Sequence, residues 1–339
     1  MPATTSLPTA YLGQGGPEIT RVGLGCWAIG GGDWAFAWGP QDDDQSIAAI
    51  LHAVELGITW VDTAAVYGLG HSESVVGEAI RRIPAADRPL VFTKCGLVWE
   101  EGQRSGSPVR DLRPGSIRRE CDNSLRRLGV EVIDLYQFHW PDELGTPVEE
   151  SWGTMLELIA EGKVRAGGVS NFDAGLLARC QAMGHVTSLQ PHFSMIARQA
   201  AAGVLPWCQE HGSGVIVYSP MQSGLLTGRF SAERVASLAE DDWRRRGADF
   251  TTHLDRNLAL AEALRPIADR HGVSQGAVAV AWTLAFEAVT AAIVGARSAE
   301  QIDGWISAAS LRLDDTDMEE IAAAIDRTGA GRGPTSPLR

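Results

Sequence analysis

A single (β/α)8 barrel is the fold that three features of this sequence predict: eight short apolar segments, amphipathic stretches between them, and glycine or proline at several of the joins. In order, the candidate strands are residues 23–27, 59–62, 90–94, 135–139, 166–170, 188–191, 214–218 and 291–294. Between the first two, Ile47, Ile50, Leu51 and Val54 recur at helical spacing, and Ile117, Cys121, Leu125 and Leu128 do the same after the third. Gly57 and Gly129 follow these stretches as C-terminal breakers, and Pro147 sits at a first helical turn. Strands alternating with helices imply a parallel sheet, and eight of them favour closure. Residues 221–256 interrupt the rhythm and read as a long loop with an inserted helix after strand seven, the kind of connection that often binds ligands. Extra helices are expected toward the C-terminus. The 339 residues suit one such domain, with a flexible N-terminus over 1–18, the barrel over 19–328 and a flexible tail over 329–339.

Composition narrows the functional classes. Hydrophobic residues make up 45% and charged residues 21%, the balance of an ordinary globular protein. A net charge of −13 argues against a nucleic-acid or anionic-membrane surface, since both need a basic face. The five cysteines (Cys26, Cys95, Cys121, Cys180, Cys208) are scattered and never form a CxxC pair, so neither a disulfide framework nor a zinc site is expected. Reduced thiols, the lack of an 18-residue apolar run and an N-terminus without secretory features give a cytoplasmic expectation. The expected partner is a small molecule, with no metal, nucleic acid or membrane, and the chain is expected to be a monomer or weak homo-oligomer.

In a parallel barrel, working side chains project from the C-terminal strand ends. The second candidate strand ends in Asp62, with Tyr67 five residues later; the third ends in Lys94 and the fourth in His139. A free tyrosine, with its pKa near 10, is a poor general acid at neutral pH. A lysine beside it lowers that value, and Asp62 can hold the lysine by a charge-assisted bond. His139 can polarise a carbonyl oxygen as negative charge develops there. A phenol that delivers a proton while a nicotinamide delivers hydride would reduce a carbonyl without a metal.

The run Asp62-Thr63-Ala64-Ala65-Val66-Tyr67-Gly68, then Lys94, His139, Gly168-Val169-Ser170-Asn171-Phe172 and Tyr218-Ser219-Pro220, resembles the aldo-keto reductase superfamily. The likeness spans roughly residues 19–328, and the opening Gly23 to Gly31 is most similar to bacterial general stress-type and glycerol dehydrogenase-type members. The resemblance implies Tyr67 as the general acid/base, with Asp62, Lys94 and His139 completing a tetrad. It implies that Ser170, Asn171 and Gln190 hold the nicotinamide carboxamide and that Tyr218 stacks on its ring, with Trp27 and Asp62 nearby. Ser219, Met221, Gly224, Leu226 and Arg229 would wrap the pyrophosphate, and Gly295, Ala296, Arg297 and Gln301 would hold the adenosine phosphate. Arg297, a forked and permanently charged donor, suits a 2′-phosphate, so NADPH is expected over NADH. Cys26, Phe193, Met221, Val294 and Trp305 depart from the usual pattern; none belongs to the tetrad.

Other features carry weaker signals. Of 11 tryptophans, Trp27, Trp34, Trp38, Trp99 and Trp140 fall at the expected mouth, as an aromatic substrate wall or as loop packing. The Gly23-Leu24-Gly25-Cys26-Trp27-Ala28 run matches a dinucleotide fingerprint only superficially, because Gly30-Gly31-Gly32 would break the helix that fingerprint requires. The remaining histidines, His192 among them, read as structural or surface residues, and Arg244–Arg246 as a solvated helix face. Rival functions are an NADPH-binding regulatory subunit with little turnover and a Schiff-base aldolase using Lys94. An adjacent carboxylate argues against the aldolase, because it raises the lysine pKa.

Overall fold

The protein is described by a computed structural model covering residues 6–100 and 102–336. Eight parallel strands close into a barrel: β1 (Val22–Gly25), β2 (Trp60–Asp62), β3 (Leu90–Cys95), β4 (Ile133–Phe138), β5 (Val164–Ser170), β6 (Ser188–Gln190), β7 (Gly214–Tyr218) and β8 (Ala291–Gly295). All eight expected strands are present, and β8 pairs back onto β1. The crossover helices are α1 (Asp43–Glu55), α2 (His71–Arg82), α3 (Pro114–Leu128), α4 (Val148–Ala160), α5 (Ala174–Gln181) and α6 (Val204–His211). Gly129 ends α3 in a left-handed conformation, where its lack of a Cβ removes the steric cost. After β7 come α7 (Ala232–Ala236), α8 (Leu254–Ala263), α9 (Arg265–His271) and α10 (Gln275–Leu284); α11 (Ala299–Asp303) and α12 (Asp315–Thr328) follow β8.

Two apolar layers hold this shell. The larger lies between strands and helices, and the smaller fills the barrel floor with Trp60, Phe92, Leu135 and Ile216. Trp60 fits only because β1 carries Gly23: a Cβ there would come within 2.2 Å of the indole. The indole nitrogen is satisfied by the Thr20 carbonyl at 2.9 Å. With the floor packed, functional groups are left to the opposite rim. Register then decides which groups meet: Asp62 pairs with Gly25 and Phe92, Lys94 with Gln137, and Ser170 with Gln190.

The two ends of the chain differ from free arms over their described residues. Thr9–Tyr11 and Glu18–Thr20 pair as an antiparallel hairpin, and Leu12 and Ile19 are buried in the barrel floor. At the other end, the Arg198 guanidinium donates to the carbonyls of Met195, Ala330 and Gly333, and Arg332 bridges to Ala197. Backbone carbonyls held by a buried guanidinium tie that segment down. Residues 1–5 and 337–339 of the expected flexible ends lie outside the described residues. Among the described residues no helix is long and apolar enough to cross a membrane.

Candidate active site

Asp62, Tyr67 and Lys94 converge where β2 and β3 end, with His139 following β4. Lys94 Nζ donates to Asp62 Oδ1 at 2.5 Å and to the Thr63 carbonyl at 2.8 Å, and lies 3.4 Å from the Tyr67 hydroxyl. The His139 ring stands edge-on to the Tyr67 ring, with centroids 5.6 Å apart. Tyr67 reaches this place because Gly68, at φ +61°, turns the chain tightly against Gly30, leaving no room for a Cβ. Burial pushes the Asp62 carboxyl up and the Lys94 ammonium down, and their mutual attraction works against both shifts. Burial also holds the His139 imidazole well below its ordinary value, aided by the Lys94 charge, so the ring is neutral.

The tyrosine corrects one expectation. Its phenol is not acidified by Lys94; it is raised well above 10.0, first by burial and then by the Asp62 charge. The physical reason is that Tyr67 is withdrawn from water, which disfavours the phenolate, and the Asp62 carboxylate nearby disfavours it further. A phenol locked in its protonated form can still donate to a developing alkoxide, which is a stronger base. The arrangement can therefore supply one proton beside a neutral imidazole that polarises a carbonyl oxygen.

Next to this group, Gln190 Nε2 donates to Asp62 Oδ2 at 2.9 Å, so it is wired into the tetrad. Ser170 Oγ donates to the Gln190 carbonyl at 2.8 Å, and Asn171 Nδ2 to Ser170 Oγ and the His139 carbonyl. The Tyr218 hydroxyl donates to Asn171 Oδ1 at 2.9 Å. Asn171, Ser219, Gln222 and Ser223 all carry positive φ without being glycines, concentrating backbone strain at the tips of β5 and β7.

A long cavity runs from Asp62, Tyr67 and Gln190, past Tyr218, Ser219 and Met221, to Ala296, Arg297 and Gln301. Its walls also include Trp27, Gly224, Arg229 and Gly295. Leu226 corrects the sequence reading: it is fully buried in the core and its contribution to this wall is indirect. Trp34 and Trp99 pack in one cluster with Tyr67 and Trp27, whereas Trp140 lies under the Arg110 guanidinium at 4.5 Å and outside that cluster. Arg297 Nε donates to Gln41 Oε1 at 2.6 Å, and its other nitrogens reach the Trp38 and Pro40 carbonyls. Those partners are neutral, so its charge stays uncompensated by direct contact.

Several residues of the wall, and Trp243 packed behind it, escaped the sequence reading. Trp243 stacks on Trp27 with centroids 5.5 Å apart and planes 10° from parallel, and Trp27 stacks on Tyr67 at 6.1 Å. Arg244, expected on a solvated face, is buried, paired with Asp242 at 2.5 Å and seated over the Trp38 ring at 4.4 Å; Arg245 and Arg246 are exposed. The loop after β7 thus clasps the loop after β1 across the cavity. Arg234, Phe230, Ser223 and Thr227 also line it. The density of aromatic and arginine residues over 230–250 was the available signal.

The sequence signature described as the aldo/keto reductase family matches residues 21–326. This chain belongs to that family. It is 35% identical over 330 residues to the NADH-specific methylglyoxal reductase of Escherichia coli (strain K12), covering 93% of this chain and 98% of the relative. It is 35% identical to the aldo-keto reductase YhdN of Bacillus subtilis (strain 168), covering 92% of each. Among solved structures, the glycerol dehydrogenase AKR11B4 from Gluconobacter oxydans superposes with a TM-score of 0.84 at 34% identity, covering 99% of this chain and 100% of the other. The chain is therefore an oxidoreductase of the aldo/keto reductase family, a family that works with a nicotinamide cofactor.

Proposed function

We propose that this aldo/keto reductase reversibly reduces an aldehyde or ketone with NADPH, taking the proton from Tyr67. The observation that carries this reading is the Lys94–Asp62–Gln190 chain beneath a protonated Tyr67 and beside a neutral His139. The residues fit a nicotinamide dinucleotide: an aromatic ring at Tyr218 braced by Asn171, the Gln190 amide beside it, and Arg229, Arg234, Arg244 and Arg297 along the far walls. When bound, the nicotinamide supplies the hydride. His139 polarises the carbonyl oxygen, Tyr67 Oη gives that oxygen a proton, and Lys94 steadies the negative charge left on the phenol. Asp62 and Gln190 keep the ammonium in place. Trp27 lines the cavity and excludes water from the reacting carbon, while Trp34 and Trp99 back it in the cluster around Tyr67 and Trp140 lies outside that cluster.

For the cofactor, the support is Arg297, whose guanidinium touches only neutral oxygens and so can take up a 2′-phosphate. The Escherichia coli relative bears a name that specifies NADH, so the preference needs direct measurement. The test is initial-rate reduction of methylglyoxal, short aldehydes and diketones, and oxidation of glycerol, with each cofactor. Turnover with NADPH exceeding that with NADH is expected. Tight binding with no turnover on any carbonyl would instead point to a regulatory subunit.

A further inference from the structure

The Tyr218 ring has one face already taken. The His192 imidazole lies nearly parallel to it, with centroids 5.0 Å apart and planes 11° from parallel. Tyr218 lines the cavity and His192 does not, so a flat ligand reaches the ring from the opposite face. His192 arrives there because the chain past β6 keeps pairing with the end of β7. The Tyr218 amide donates to the Pro191 carbonyl at 3.1 Å, and the Phe193 amide donates to the Tyr218 carbonyl at 3.3 Å.

The orientation of the imidazole follows from its neighbours. His192 Nε2 lies 3.2 Å from Gln222 Oε1, which also accepts from Ser194 Oγ at 2.5 Å. The Gln222 amide nitrogen donates to Asp249 Oδ2 at 2.7 Å. A carboxylate accepts only, so the amide nitrogen faces Asp249 and the amide oxygen faces His192, which must then present Nε2–H. Gln222 is buried and holds this position at φ +48°. Strain of that kind persists only where the surroundings over-determine it.

We propose that His192 is a positioning residue: a flat backstop that sets how far the Tyr218 ring stands behind the nicotinamide, held in place by Gln222 and Asp249. The idea rests on the nicotinamide reading above. It gives a role to a residue that the sequence places among structural histidines, and it ties the strand tips at β6 and β7 to the 248–250 turn of the long loop. Without the imidazole, Tyr218 can sink into the vacated space and the stacked ring loses its support. Burial keeps the imidazole neutral, which suits a stacking partner.

The test compares three variants, reading dissociation constants for NADPH and NADH by quenching of tryptophan fluorescence, with no carbonyl present. His192→Ala is expected to weaken cofactor binding about fivefold to tenfold. His192→Phe keeps the flat face and loses the donor, and is expected to stay within about twofold of the parent. His192→Asn keeps a donor and loses the face, and is expected to remain weak. If the alanine protein does not fold, the phenylalanine–asparagine contrast decides. Unchanged affinity in all soluble variants, or rescue by asparagine but not phenylalanine, overturns the backstop. A parent protein that binds neither nucleotide overturns the nicotinamide reading and the backstop together, whereas a binding parent with indifferent variants overturns the backstop alone.

Discussion

At the strand-tip end of the cavity, Asp62, Lys94 and Gln190 are nearly inaccessible and joined by short hydrogen bonds within a sheet whose register leaves little freedom. At the far end, Trp38, Trp243, Arg244 and Arg297 come from three loops, after β1, β7 and β8. These meet through stacking, guanidinium contacts and isolated hydrogen bonds, such as Trp243 N–H to the Ala37 carbonyl at 3.2 Å and Asp33 N–H to Asp241 Oδ2 at 3.1 Å. The difference teaches where chemistry and where recognition reside. Asp62, Lys94 and Gln190 sit on paired strands, whose backbone bonds fix them, and Tyr67 and His139 follow strand ends closely. Groups that must admit and release a long ligand sit on loops, whose contacts can be exchanged. The proposed function therefore assigns turnover to the strand-tip end, and affinity and cofactor choice to the loop end.

Four experiments can break or sharpen that division. Tyr67→Phe removes one hydroxyl from the rigid end and is expected to lower kcat by about 10²- to 10⁴-fold with cofactor affinity nearly unchanged. Near-parental turnover in stopped-flow reduction would remove Tyr67 from the reaction. The second experiment concerns Glu120, whose buried carboxylate accepts from the Gly96 amide just past Lys94 and is pushed up to about 7, chiefly by burial. Its folded-state pKa exceeds the unfolded value, so the folded protein binds more protons between the two. Stability is then fullest below about pH 4.5 and declines as pH rises to about 7, by about 3 kcal/mol at most. Glu120→Gln should flatten that slope in urea titrations at pH 5 and 8; parallel slopes for both proteins would contradict the assignment.

At the loop end, Arg297→Ala is expected to weaken NADPH about tenfold more than NADH, because one charge-assisted contact to a 2′-phosphate is lost. Equal losses in the two dissociation constants would remove Arg297 from cofactor choice. The smallest effect expected is for Trp243→Ala, which uncovers the outer face of Trp27: about a fivefold weaker cofactor with kcat within about twofold. A kcat loss as large as that of Tyr67→Phe would show that the loop end also controls chemistry, and the division drawn above would not hold.

Much of the rigid end was legible from residue order. Asp62, Lys94 and His139 announced themselves because a polar residue closing an apolar β-branched run has one place to go in a parallel barrel. Gln190 was found by the same logic, although its bond to Asp62 was not, since that contact spans 128 residues of sequence. Leu226 shows the opposite failure: in a turn-rich loop, neighbouring positions point in unrelated directions, and no period says which faces the cavity. Arg244 was misplaced for a related reason. Three consecutive arginines look alike in sequence, and only the fold separates the one that meets Asp242 and Trp38 from the two in solvent.

What the sequence by itself determined is the barrel and the placing of Asp62 and Lys94 at neighbouring strand ends, because apolar periodicity and strand-end polarity are local and survive without coordinates. Tertiary structure alone decided the electrostatic surroundings of Tyr67: burial, and then the Asp62 charge, hold its phenol well above the ordinary tyrosine value. It alone also decided the backing of the cavity wall, where loops more than 200 residues apart meet as Trp243 on Trp27. Such stacking depends on how two irregular backbones are aimed in space, and that direction is a property of the whole packed barrel.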